Sequence, residues 1–75
     1  MHLKIVRAGF SETVNRFFLV GVKNDGTRNT RHVTPESLRK EWMRFDWSSA
    51  SFDNDRVREL FERMAGLSFE AMKNA

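Results

Sequence analysis

A tight turn is encoded by the triplet Asn24-Asp25-Gly26. These residue types tolerate positive φ and commonly join the two strands of a β-hairpin. The segment before the triplet, RFFLVGVK (residues 16–23), is rich in β-branched and aromatic residues, which favour strands. The segment after it, TRNTRHVT (residues 27–34), continues as a polar strand. The chain is therefore predicted to fold back on itself here as an antiparallel pair.

A further strand is predicted earlier in the chain, over residues 3–9 (LKIVRAG). The SETVN segment, residues 11–15, has the Ser and Asn that are typical of a connection between strands. Neighbouring strands joined by short connections pair with each other, so the three strands are expected to form an antiparallel meander.

Helices are predicted in the second half of the chain. Thr34 followed by Pro35 is a typical helix start, and Leu38, Trp42 and Phe45 then form one apolar stripe at i, i+4 and i+7. A second helix is expected after Asp53 or Asn54, with a similar apolar spacing at Val57, Leu60, Phe61 and Met64. Gly66 ends this helix, and a last short helix is expected from Ser68.

These elements predict an α+β fold, in which a three-stranded antiparallel meander is followed by two to three helices packed on one face of the sheet. A chain of 75 residues has room for one core. Residues 1–75 are therefore expected to form a single domain, with a basic β-meander over residues 1–34 and a helical part over residues 35–75.

Positive charge is concentrated in the first half of the chain. Residues 1–34 carry a net charge of +4, whereas residues 35–75 carry −1. A basic surface attracts nucleic acid or an acidic protein. The charge distribution alone does not choose between these two kinds of partner.

Several functional classes lack their sequence signatures. The chain has no Cys, and it contains no motif for catalysis, for metal binding or for a phosphate or dinucleotide cofactor. We therefore expect a protein that is not an enzyme and uses no cofactor or metal. No apolar run approaches the roughly 18 residues of a membrane span and no signal-peptide core is present, so we expect a cytoplasmic protein without a membrane partner.

The hairpin carries the first group of candidate binding residues. With Asp25 and Gly26 as the central turn residues, Lys23 faces Arg28, and two opposed cations favour an anion between them. A three-residue loop would instead shift the register by one residue and separate this pair. Cations on an edge strand also prevent edge-to-edge pairing of sheets, which is an alternative explanation for them. The candidate binding residues of the hairpin are Lys23, Arg28, Arg31 and His32, with Phe17 on the same face as most of them.

Two further residues are candidates for anchors at a protein interface. Met43 lies off the apolar stripe of the first helix, and Trp47 lies in the connection that follows it. Met and Trp are enriched at protein interfaces when they are exposed. The alternative for Trp47 is that it folds back over the core.

The leading functional hypothesis is a small binding module that acts by occluding a protein partner, as phage or mobile-element inhibitors and bacterial adaptors do. Its basic half would steer it toward an acidic or nucleic-acid-handling partner. The alternative is direct binding of DNA or RNA through the basic sheet face, with stacking on Phe17. Formation of a homodimer through a free strand edge is also left open by the sequence.

Overall fold

Residues 3–74 are described by a computed structural model, and they form an α+β fold, as predicted. The first three strands are β1 (Leu3–Ser11), β2 (Arg16–Val22) and β3 (Arg28–Val33). Strand β2 pairs antiparallel with β1 on one side and with β3 on the other. The antiparallel part of the predicted meander is therefore present.

Two short strands complete a mixed sheet that was predicted to have only three strands. Strands β4 (Phe45–Asp46) and β5 (Ser51–Phe52) both lie parallel to β1, on the side of β1 opposite to β2. These strands lie at the end of the first predicted helix and in the connection after it, where no strand was predicted. Two-residue strands are too short to show an alternating apolar pattern, and they form because β1 offers them an unpaired edge.

The helices begin near the predicted positions, but the first ends earlier than its apolar stripe predicted, because Phe45 lies in β4. Thr34 caps the first helix, with its Oγ1 accepting a hydrogen bond of 3.1 Å from the backbone N–H of Ser37. Asn54, the second of the two proposed caps, begins the next helix, and Gly66 ends it with a φ of 68°. The helices are α1 (Pro35–Glu41), extended by a 3₁₀ turn (Trp42–Arg44), α2 (Asp55–Ala65) and α3 (Phe69–Lys73).

One hydrophobic core lies between the sheet and the helices. Phe61 of α2 is at its centre: the distance between ring centroids is 5.6 Å to Phe17, 5.4 Å to Trp47 and 5.1 Å to Phe52, each in an edge-to-face arrangement. Phe17 and Leu19 of β2 are both fully buried in this core. We call the sheet face that carries them the inner face.

The hairpin turn has three residues rather than the two that were expected. The backbone N–H of Lys23 donates to the carbonyl of Thr27 at 2.9 Å, and the N–H of Gly26 donates to the carbonyl of Lys23 at 2.9 Å. Gly26 has a φ of 87°, which is typical of the last residue of such a loop. Asp25 stabilises this longer loop, because its Oδ1 accepts a hydrogen bond of 2.9 Å from the N–H of Thr27.

The longer loop shifts the pairing of β2 with β3 by one residue. Arg28 lies opposite Val22 instead of Lys23, so the predicted pair of opposed cations does not form. Side chains alternate between the two faces of a sheet, so a shift by one residue changes which side chains of β2 and β3 share a face. Phe18, and not Phe17, therefore shares a face with His32.

Candidate functional site

The face of the sheet opposite to the core is the candidate site, and we call it the outer face. Phe17 was predicted to lie on it with the cations, but this placement is wrong because Phe17 is fully buried. Its neighbour Phe18 lies on the outer face instead, together with Val20 and Val22, and all three are half-buried. The outer face is made of Lys4, Arg7, Gly9, Arg16, Phe18, Val20, Val22, Arg28, Thr30 and His32.

No helix within residues 3–74 packs on the outer face. The helices cover the inner face instead. Their buried side chains include Phe61, which contacts the ring of Phe17, and Phe69, which contacts the ring of Phe52. The ring contacts of Phe18 come instead from neighbouring strands. The Arg7 Cζ atom lies 5.6 Å from the Phe18 ring centroid, and the His32 ring centroid lies 6.5 Å from it. The described residues therefore leave the outward side of Phe18, Val20 and Val22, an apolar stripe along β2, uncovered by any helix.

A bulge in β1 brings Arg7 to the outer face. Ile5 pairs with Gly21 and Arg7 pairs with Val20, so Val6 is an extra residue without a partner in β2. Strict alternation would have placed Arg7 on the same face as Ile5, in the core. The bulge is not evident from the sequence, and for this reason Arg7 was missed as a site residue.

Arg7 is held in place by an acidic neighbour. It donates through both Nε and Nη2 to the carboxylate of Asp53, and the Nη2 to Oδ2 distance is 3.0 Å. The hydrogen bond and the charge of Asp53 raise the pKa of Arg7, and the same contact lowers the pKa of Asp53. The two hydrogen bonds to Asp53 thus help to position the guanidinium over the Phe18 ring.

Among the described residues, the other cations of the outer face have no acidic partner. Arg16 begins β2 and Arg28 begins β3, and both side chains are exposed at opposite ends of the apolar stripe. No ion pair of the described residues 3–74 includes either of them. These two cations are thus available to an anionic group. Sequence reasoning missed Arg16, which becomes a site residue only through its position in the sheet.

The hairpin residues that were predicted to act together lie on different surfaces. Arg28 and His32 are on the outer face, whereas Arg31 pairs with Leu19 and extends from the inner side of the sheet edge. There its Cζ atom lies 6.0 Å from the ring centroid of Phe45. Lys23 is exposed between the end of β2 and the hairpin loop. Only part of the predicted group can contact one partner surface from the outer face.

The two proposed anchor residues differ in exposure. Trp47 is 2% exposed and belongs to the core, and its Nε1–H donates a hydrogen bond of 2.8 Å to the backbone carbonyl of Trp42. The alternative that it folds over the core is thus the correct one. Met43 is 68% exposed in the 3₁₀ turn before β4, so it stays a candidate anchor, although it lies outside the strands of the outer face.

Comparison of the chain with protein-family models, with curated proteins and with solved structures finds no match. Across residues 3–74, no helix is long and apolar enough to cross a membrane. Within the same range, no group of three or more His, Asp or Glu side chains is arranged to hold a metal ion.

Proposed function

We propose that this protein is a small, non-catalytic binding module that docks its outer face on an acidic protein and thereby occludes that protein's surface. The observation that carries this proposal is the arrangement of Phe18, Val20 and Val22 as an apolar stripe between Arg16 and Arg28. An apolar centre with a charged rim is the usual composition of a protein interface. The rim cations would pair with acidic groups of the partner and increase the rate of association.

The composition of the outer face favours a protein over a nucleic acid. Surfaces that bind single strands present several rings on which successive bases stack. With Phe17 in the core, the outer face has the ring of Phe18 and, beside it, that of His32. Val20 and Val22 occupy the rest of the stripe, and aliphatic side chains bury against apolar protein surface rather than stack on bases. An inhibitor or an adaptor, of the kind encoded by phages, mobile elements or bacteria, would use such a surface.

The substitution Val20→Glu tests the proposal, because it places a negative charge at the centre of the apolar stripe. Partners of the immobilised protein would be captured from an extract of the source cells and identified. Binding of each purified candidate would then be measured by calorimetry. We expect a stoichiometric complex, and we expect Val20→Glu to weaken it at least about tenfold, the loss typical of a central interface residue.

Val14→Glu is the matched control, because it makes the same charge change in the exposed turn between β1 and β2, where Val14 is 56% exposed. It should leave the affinity nearly unchanged. Thermal unfolding of both variants would show that each is folded. Equal affinity of the Val20→Glu variant and the wild type for every purified partner would contradict the proposal.

Direct binding of single-stranded DNA or RNA is the second candidate function. It is favoured by the contact of the Phe18 and His32 rings beside Arg7, and by Arg16 and Arg28, which form no ion pair within residues 3–74. Binding of generic oligonucleotides would be measured at about 50 and 200 mM salt. A steep loss of affinity with salt, reduced in slope by Arg28→Ala, would support this candidate. Absence of binding at the lower salt would exclude it.

A further inference from the structure

Strand β3 forms one edge of the sheet, in which the order of the strands is β3-β2-β1-β4. One side of β3 pairs with β2, and no strand of residues 3–74 lies along its other side. Most of its side chains are exposed. An edge strand of this kind presents backbone N–H and C=O groups that another chain can pair with.

The register shows which backbone groups point away from β2. Lys23 and Thr27 share a hydrogen bond across the hairpin, and hydrogen-bonded positions alternate along an antiparallel pair. Residues 29, 31 and 33 therefore direct their backbone groups toward β2. The N–H and C=O groups of Arg28, Thr30 and His32 point to the open edge, and their side chains belong to the outer face.

The charge of β3 determines which kind of strand can pair with it. The strand carries Arg28, Arg31 and His32 and has no acidic residue. If two copies of this protein paired through β3, they would bring Arg28 and Arg31 of both copies onto neighbouring strands, which costs free energy because like charges repel each other. A strand with glutamate or aspartate at alternating positions would place its carboxylates beside Arg28 and His32. Charge complementarity thus favours an acidic segment over a second copy.

We propose that β3 accepts an extended acidic segment of the protein partner as an additional strand of the sheet. This inference rests on the proposed function and specifies how the partner binds. The added strand would make main-chain hydrogen bonds with Arg28, Thr30 and His32, as in other complexes formed by strand addition. It would also widen the outer face, because its alternate side chains lie next to those of β3.

The substitution Thr30→Pro tests the role of the edge. Proline removes the N–H of residue 30, which points away from β2, so the pairing with β2 is kept and the variant should fold. Asn29→Pro is the matched control, because the N–H at position 29 faces β2 and its loss breaks the pairing. We expect Thr30→Pro to keep most of the thermal stability that Asn29→Pro loses. Equal destabilisation by the two substitutions would overturn the assignment of the outward-facing groups.

A defined peptide tests the chemistry of the segment. The probe is an extended peptide of about seven residues in which glutamate alternates with valine or threonine. At about millimolar concentration, it should slow amide hydrogen exchange at Arg28, Thr30 and His32 roughly tenfold in the wild-type protein. In the Thr30→Pro variant, which has no amide at position 30, the effect should be absent at Arg28 and His32. It should be absent at all three positions with a peptide in which lysine replaces glutamate. No slowing with the acidic peptide, or equal slowing with the lysine peptide, would overturn the proposal.

The two proposals can fail separately. If Val20→Glu weakens binding of the protein partner while Thr30→Pro does not, the outer face binds the partner and the strand-addition proposal is wrong. If Thr30→Pro alone weakens binding, the outer-face proposal is wrong. A dimer of the isolated protein in light scattering, lost in the Thr30→Pro variant, would show that a second copy occupies the edge and would overturn the assignment to an acidic partner.

Discussion

The ring of Phe18 lies over the α-carbon of Gly9, its partner in the neighbouring strand, so closely that a Cβ atom at position 9 would overlap it. The missing side chain of Gly9 allows this ring to cross from β2 onto β1 along the surface of the sheet. Arg7 and His32 contact the same ring from either side. The shape of the outer face therefore depends on a glycine that contributes no side chain to it.

The substitution Gly9→Ala should displace the Phe18 ring and lower the free energy of unfolding by about 1–3 kcal/mol, as overpacking commonly does. Denaturant unfolding would measure this loss. In the background of Phe18→Ala the same substitution should cost much less, because no ring occupies the space. Additive effects of the two substitutions would contradict the contact.

The neighbouring phenylalanines of β2 should respond very differently to truncation. Phe17→Ala removes a fully buried ring and should lower the free energy of unfolding by about 3–5 kcal/mol. Phe18→Ala removes a half-buried ring and should cost about 1 kcal/mol. Denaturant unfolding of both variants checks the register of the hairpin directly, because a shift by one residue would reverse the order.

Trp47→Phe should destabilise the protein by about 2–4 kcal/mol. The smaller ring leaves space in the core, and the backbone carbonyl of Trp42 loses the indole N–H that it accepts from. Trp42→Phe is the control, since it changes a half-buried side chain and keeps that carbonyl bonded to Trp47. A larger loss in the control than in Trp47→Phe would contradict the central position of Trp47.

The contact between Arg7 and Asp53 should make stability depend on pH. The hydrogen bond from Arg7, followed by its charge, lowers the pKa of Asp53 below its ordinary value of 3.8. The stabilisation is therefore present above that value and is lost as the pH falls through the lowered pKa of the folded state. Thermal unfolding between about pH 5 and pH 2 should show a smaller loss of stability for Asp53→Asn than for the wild type.

Arg7→Gln supplies the control for this pH dependence. It removes the partner of Asp53 and should flatten the acid side of the stability profile as Asp53→Asn does. The double variant should behave like either single variant, because both remove the same interaction. An unchanged profile in Arg7→Gln would show that another group causes the loss at low pH.

The free energy of unfolding should depend on the residue type at position 26, because Gly26 has a φ of 87°. Gly26→Ala forces a β-carbon into this conformation and should cost about 1 kcal/mol in unfolding free energy. Gly26→Asn should cost less, since Asn tolerates positive φ better than Ala does. Equal costs for the two substitutions would indicate that the loop changes its conformation to avoid the strain.

Local signals in the sequence determined most of the secondary structure. Turn-forming residues located the hairpin, and Thr34 and Gly66 marked a helix start and a helix end because their backbone preferences act within a few residues. Apolar spacing identified Leu38 and Phe61 as core residues, and both are fully buried. The α+β class followed from the order of these elements.

Tertiary structure decided which residues make up the outer face. Both Phe17 and Phe18 have the local propensity for a strand, and a one-residue difference in loop length determines which of them is buried. Likewise, the bulge at Val6 brings Arg7 to the surface, and β4 and β5 are strands through their pairing with the distant strand β1. These outcomes depend on which arrangement of the whole chain buries its apolar surface best. That arrangement cannot be read from any short segment of the sequence.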